Sequence, residues 1–152
     1  MPAGIGEPVF DKLDAQLSKA VMSIGATKGI EIGDGFMVAE TTGSENNDEF
    51  YNDNGHIAKR TNHSGGVLGG MSDGSDIIFR TAIKPTPSIS SLQSTVSRNG
   101  DEMQVCIKGR HDPVIVPRAV VVVEAMTALT LVDLIFDNMT ARMDRVKEFY
   151  RK

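Results

Sequence analysis

Tryptophan is absent from this sequence, cysteine occurs once, and aromatic residues make up only 5%. A single cysteine excludes an internal disulfide, so folding has to rely on apolar burial rather than covalent staples. With eight methionines and acidic loops, that usage fits a reducing, cytosolic compartment, with Cys106 expected in the core. Also missing is any excess of positive charge. The formal net charge of -4 argues against a general nucleic-acid binder, which needs a basic face to displace counterions from phosphates. The opening residues, Met1-Pro2-Ala3-Gly4-Ile5-Gly6-Glu7-Pro8, have neither a basic start nor an apolar stretch, so no export signal is expected. The longest apolar run, 119–135, is interrupted by Glu124 and Asp133 and falls short of the about 20 residues a membrane span requires. It reads as a buried helix. No Gly-x-Ser-x-Gly elbow occurs, neither nucleotide-binding glycine fingerprint is matched, and no His, Cys or carboxylate pair has the spacing of a metal site.

What is present is a chain of 152 residues, expected to form one domain that buries roughly 70% of its unfolded surface. Apolar residues at Phe10, Leu13, Leu17, Ala20, Val21 and Ile24 recur by threes and fours between Pro8 and Gly25, which predicts an amphipathic helix. A short element follows over 29–33, with a helical turn over 36–40. Residues 41–66 are polar and contain Asn46-Asn47-Asp48 and Asn52-Asp53-Asn54-Gly55; so long a polar connection is expected to be a mobile loop acting as a lid. Residues 65–74 hold five glycines, which permit positive φ or close backbone approach. Alternation over 77–84 predicts a strand with Arg80 and Lys84 on one face. It ends at Lys84-Pro85-Thr86-Pro87-Ser88, a stretch stiffened by two prolines. Asn99-Gly100 predicts a two-residue type I′ hairpin joining 94–98 to 101–107, with Val96 opposite Met103. A long helix is expected from Pro113 or Pro117 to about Glu148. The fold class is α+β, an antiparallel sheet covered by helices.

Candidate chemistry gathers in Gly109-Arg110-His111-Asp112-Pro113. Asp before Pro is a preferred helix start, which would leave Arg110 and His111 solvated. In the other reading Arg110 adds a bidentate fork to a helix N-terminus, suited to phosphate or carboxylate, and Asp112 accepts a proton. Lys84 and His63 are further candidates, against the readings of a surface lysine and a loop hydrogen-bonder. His56 has no visible partner.

Five ordered blocks carry a resemblance beyond these patterns: Gly6-Glu7-Pro8-Val9-Phe10-Asp11-Lys12-Leu13, Lys28-Gly29-Ile30-Glu31-Ile32-Gly33-Asp34-Gly35-Phe36, Asn62-His63-Ser64-Gly65-Gly66, Lys84-Pro85-Thr86-Pro87-Ser88, and Arg110-His111-Asp112-Pro113 through Glu124-Ala125-Met126. In this order they resemble chorismate synthase across most of residues 4–136.

The resemblance implies conversion of 5-enolpyruvylshikimate 3-phosphate to chorismate and phosphate, a 1,4-elimination that requires reduced FMN, with NADPH as a reductant in some members. It implies a cytoplasmic homotetramer built from β-α-β sandwiches. Carried over by motif, the cofactor contacts are Gly25, Ala26, Gly69, Lys84, Pro85, Thr86, Pro87, Ser88 and Arg110. Arg110 also reaches substrate, Asp112 handles a proton near the flavin N5, and His63 is a nearby polar contact. The family's Gly-Asp-Ser-His block and its second histidine block do not occur here. The chain therefore looks like a C-terminal part, about one half of the sandwich, with a normally covered face exposed. Isolated, it would be either an enzyme component active only when complemented, or a non-catalytic fragment that oligomerises or binds flavin or anions weakly.

Overall fold

In the computed structural model, residues 1–151 are described. A 3-10 turn, Val9–Asp11, leads into helix α1, Leu13–Met22. The predicted apolar stripe forms its inner face, with Leu13, Leu17 and Val21 fully buried, while Phe10 lies before the helix and is exposed. Strand β1, Thr27–Ile32, follows after a four-residue turn. It pairs antiparallel with β6, Phe79–Ile83, from Thr27 opposite Ile83 to Ile32 opposite Phe79, with a bulge between Thr27 and Gly29. The expected turn near Phe36 is a 3-10 helix, Gly35–Glu40.

Three two-stranded hairpins complete the β structure: β2, Phe50–Asp53, with β3, His56–Lys59; β4, Val67–Leu68, with β5, Met71–Ser72; and β7, Leu92–Val96, with β8, Glu102–Cys106. Antiparallel strands and helices together give the expected α+β class. The polar stretch 41–66 contains the β2/β3 hairpin, so it is not a structureless connection.

The β7/β8 register differs from the Asn-Gly reading. Val96 faces Glu102 and Thr95 faces Met103. Ser97 accepts from the Gly100 amide at 3.0 Å and donates to the Asp101 carbonyl at 2.8 Å, and Gly100 alone in the loop takes φ +91°. This is a three-residue loop in which glycine forms the bulge. The extra residue slips the pairing by one. Cys106, at the end of β8, is exposed rather than in the core.

Helix α2, Val116–Thr140, and α3, Met143–Phe149, replace the single long helix expected. The break falls at Arg142, whose backbone is extended at φ -124° and ψ 125°. Asn138 there bonds away from its own helix, donating to the Gly4 carbonyl at 3.0 Å and accepting from Arg145 at 3.1 Å. Leu131 and Leu134 pack α2 onto Ile5, Leu13 and Leu17, yet Leu134 is the one buried residue of the helix. The expectation of a buried helix fails because burial requires a covering surface that composition does not supply. By length and composition α2 is long and apolar enough to cross a membrane. The accessible surface, 11269 Å², is roughly half as much again as the ~7,500 Å² expected for a compact monomer of this mass.

Candidate functional site

The β1/β6 ladder has two ends, and the candidate residues outside 110–112 divide between them. At one end α1 has just finished. Gly25 and Ala26 make the turn into β1, and Ala26 takes φ +69°, a left-handed conformation unusual for a residue with a Cβ. Its carbonyl accepts the Lys84 amide at 2.8 Å. This bond joins the turn to the proline-stiffened stretch leaving β6. Farther along, the Pro87 carbonyl accepts from the Ile89 amide at 3.1 Å and from the Gln93 side chain at 3.0 Å. The hydroxyl oxygens of Thr27 and Thr86 are both buried without a partner. A buried unpaired hydroxyl costs free energy unless something bonds it, and Thr86 lies inside the stretch predicted to touch the cofactor.

Gly69 belongs to the other end. It caps the β4/β5 hairpin at φ +61°, with open space where a side chain would project. Its neighbour Gly70 accepts the Leu13 amide at 2.8 Å, which docks this tip on the start of α1. The ten residues of α1 separate it from Gly25 by about 15 Å. Also at this end, the His63 ring meets Asp34 with Nδ1 and Oδ2 2.6 Å apart. The Asp34 amide donates to the His63 carbonyl at 2.9 Å, so ring and backbone are held by one residue.

Behind His63 lies a buried ionic cluster. The Lys59 ammonium donates to Asp73 at 2.6 Å, Ser64 Oγ at 2.8 Å, Asp48 at 3.1 Å and Asn62 at 3.3 Å. The side chains of Lys59, Asp48 and Asp73 are 4%, 9% and 5% exposed. Asp48 also accepts the amides of His63 at 2.8 Å and Ser64 at 3.0 Å and the Thr61 hydroxyl at 2.7 Å. Burial works to raise the Asp48 carboxyl, but those donors and Lys59 outweigh it and hold the group well below the usual carboxylate range. Asp73 is lowered against the same burial by Lys59 and Ser75. Lys59 is raised because its two carboxylates overcome the desolvation that opposes its charge. Sequence reading missed this cluster. Asp48, Lys59, Asn62 and Ser64 fall in the polar stretch 41–66 and Asp73 in the glycine-rich stretch after it, and nothing in their spacing marks them as neighbours.

The third group stands apart. Helix α2 begins at Val116 with no side-chain cap, so Asp112 is not its N-cap and the start at Pro113 is not observed. Pro117 instead sits in the first turn, where its fixed φ suits a helix start. Asp112 accepts from Arg118 at 2.7 Å. The His111 Nε2 lies 3.2 Å from the Ile107 carbonyl. Among the described residues Arg110 has no hydrogen-bond or ion-pair partner, and no hydrogen bond ties 107–115 to 84–88 or to Gly69.

Comparison with known proteins identifies the family. The profile of the family described as chorismate synthase matches residues 1–136. The chain belongs to the chorismate synthase family. A chorismate synthase from Lachnospira eligens is 73% identical over 152 residues, covering 100% of this chain and 42% of the relative. One from Archaeoglobus fulgidus is 60% identical over 134 residues, covering 88% of this chain and 37% of the relative. A solved structure described as "Crystal Structure of Chorismate Synthase" superposes with a TM-score of 0.73 at 32% identity, over 97% of this chain and 38% of that one. The chain thus spans about two fifths of the length of these chorismate synthases. The large exposed surface of α2 accords with so partial a length.

Proposed function

We propose that this chain is the flavin-contacting part of a chorismate synthase, which converts 5-enolpyruvylshikimate 3-phosphate to chorismate and phosphate by 1,4-elimination. The 73% identity across the whole chain to a relative of that name carries the reading. Reduced FMN, when bound, supplies electron density as phosphate leaves. The chain's residues suit such a ligand. Thr86 offers an unpaired buried hydroxyl, Gly69 leaves open space for close approach, and Arg110 keeps an unpartnered guanidinium fork for phosphate or carboxylate. Gly25, Ala26, Lys84, Pro85, Thr86, Pro87 and Ser88 would hold the cofactor from one end of the ladder. Gly69, a helix length away, would meet a different part of it, and His63 would be a nearby polar contact. Asp112 would take up the proton removed from substrate and Arg110 would bind substrate as well. The Arg118 ion pair holds the Asp112 carboxylate in place for that task.

The same reading makes the assembled enzyme a cytoplasmic homotetramer, with NADPH as a reductant. The 152 residues act as one domain in which the 41–66 segment moves at its hairpin tip, since Asp48 and Lys59 pin its base. A second reading, a non-catalytic fragment that associates or binds flavin or anions weakly, draws support from the exposed surface. Titration with reduced and oxidised FMN, then an elimination assay with and without the remaining part of a family member, separates the two. Turnover restored by complementation supports the first. Flavin binding with no restored turnover supports the second, and no binding of either form removes the cofactor site from the isolated chain.

A further inference from the structure

The Lys59 ammonium has three protons and lies within bonding distance of four acceptors drawn from separate parts of the chain. Asp48 precedes β2, Asn62 and Ser64 belong to the turn after β3, and Asp73 follows β5. Asp73 has a second tie. Its amide donates to the Gly66 carbonyl at 3.1 Å, closing the foot of the β4/β5 hairpin. Asn62 takes part from the other side, accepting the Gly66 amide at 2.8 Å. Both strands of that hairpin therefore leave a foot fastened to acceptors of one ammonium, and its tip carries Gly69. The hairpin has only two residues per strand, too few to hold its own geometry in water.

A cation this buried is costly unless fully paired. An apolar residue of similar length would fill the same space without that cost. What the ammonium provides, and an apolar side chain cannot, is three directional N–H donors shared among two carboxylates, an amide oxygen and a hydroxyl. We infer that Lys59 is a positioning residue that fixes the foot of the β4/β5 hairpin and so, together with the bond from the Leu13 amide to the Gly70 carbonyl at its tip, sets Gly69 for ligand contact. This rests on the reading of Gly69 as a cofactor contact. It assigns Lys59 no contact with ligand.

The test uses the 152-residue chain and two variants. Lys59→Met leaves two buried carboxylates without their cation and is expected to lose much of its fold. The combined variant Lys59→Met, Asp48→Asn, Asp73→Asn leaves no unpaired buried charge and keeps side-chain volume. It is expected to retain wild-type protection from amide exchange in α1, β1 and β6. The amides of Gly66 and Asp73, bonded to Asn62 and to the Gly66 carbonyl at the hairpin foot, should exchange at least tenfold faster than in the wild type. FMN affinity should fall at least fivefold, with an altered visible band of the bound flavin. Lys84→Ala is the contrast, with weaker FMN binding and unchanged exchange at Gly66 and Asp73. Wild-type exchange at Gly66 and Asp73 in the folded triple variant overturns the inference, as does wild-type FMN affinity in it. If the wild-type chain binds no FMN, the isolated chain lacks the cofactor site that Gly69 would serve. The exchange rates then decide whether Lys59 sets the hairpin.

Discussion

The Lys84 amide donates to the Ala26 carbonyl at 2.8 Å, and Ala26 makes that carbonyl available from φ +69°. Two stretches 58 positions apart in sequence thus meet through a residue in a conformation that costs about 1 kcal/mol for any side chain. A β-branched side chain tolerates it worse than alanine. Ala26→Val should lower stability by about 2 kcal/mol in chemical denaturation and weaken FMN binding. Ala26→Gly should change stability by about 1 kcal/mol or less, because relief of strain and added chain entropy oppose each other.

Gly33 and Gly65 interlock at the other end of β1. Both have positive φ, and a Cβ on Gly33 would strike the His63 carbonyl and the Gly65 amide. Backbone cannot move aside as a side-chain tip can. Gly33→Ala should therefore cost about 3 kcal/mol, seen as a lower thermal midpoint. A variant as stable as the wild type would show that the two turns are not in contact.

Acid should loosen the Lys59 cluster. Asp48 and Asp73 titrate below their ordinary values in the folded chain, so their stabilisation is complete above about pH 5. It is lost as pH falls below about 4 toward the folded values. Lys59 is raised, so its contribution persists to alkaline pH and disappears only as pH rises through its folded value. Amide exchange of His63 and Ser64, whose N–H groups Asp48 accepts, should accelerate in the acid range more than global unfolding explains. Asp48→Asn should flatten that dependence.

Leu129 and Val121 on α2 are each 65% exposed. In the isolated chain Leu129→Glu removes apolar surface from water rather than from a core, so stability should change by less than about 0.5 kcal/mol. Self-association, measured by sedimentation, should fall. In the complementation assay the same change should reduce recovered activity, because it puts a charge on the exposed apolar face of α2.

Asp112 and Arg118 form an ion pair in which Arg118 is 78% exposed. Such pairs contribute about 0–1 kcal/mol. Asp112→Asn should leave the denaturation midpoint nearly unchanged and abolish most turnover of the complemented enzyme, with the loss in kcat rather than in flavin affinity. Normal turnover would remove the proton-handling role.

The sequence alone determined what local physics controls. The four-residue spacing of Leu13, Leu17 and Val21 specifies a helix because one face must leave water, and all three are buried. Alternation from Phe79 to Ile83 specifies a strand for the same reason. The five blocks carried the family. The sequence also suggested a two-residue turn at Asn99-Gly100, but a dipeptide constrains dihedrals without counting the residues between paired strands, and the closed loop has three. Only the tertiary structure placed Asp48, Lys59 and Asp73 together, because contacts between distant polar stretches leave no periodicity. It also divided the candidate residues into the two ends of the β1/β6 ladder and a separate group at Arg110 and Asp112, since motif order carries no distance. Finally, it exposed α2, because an apolar helix is buried only where another surface covers it.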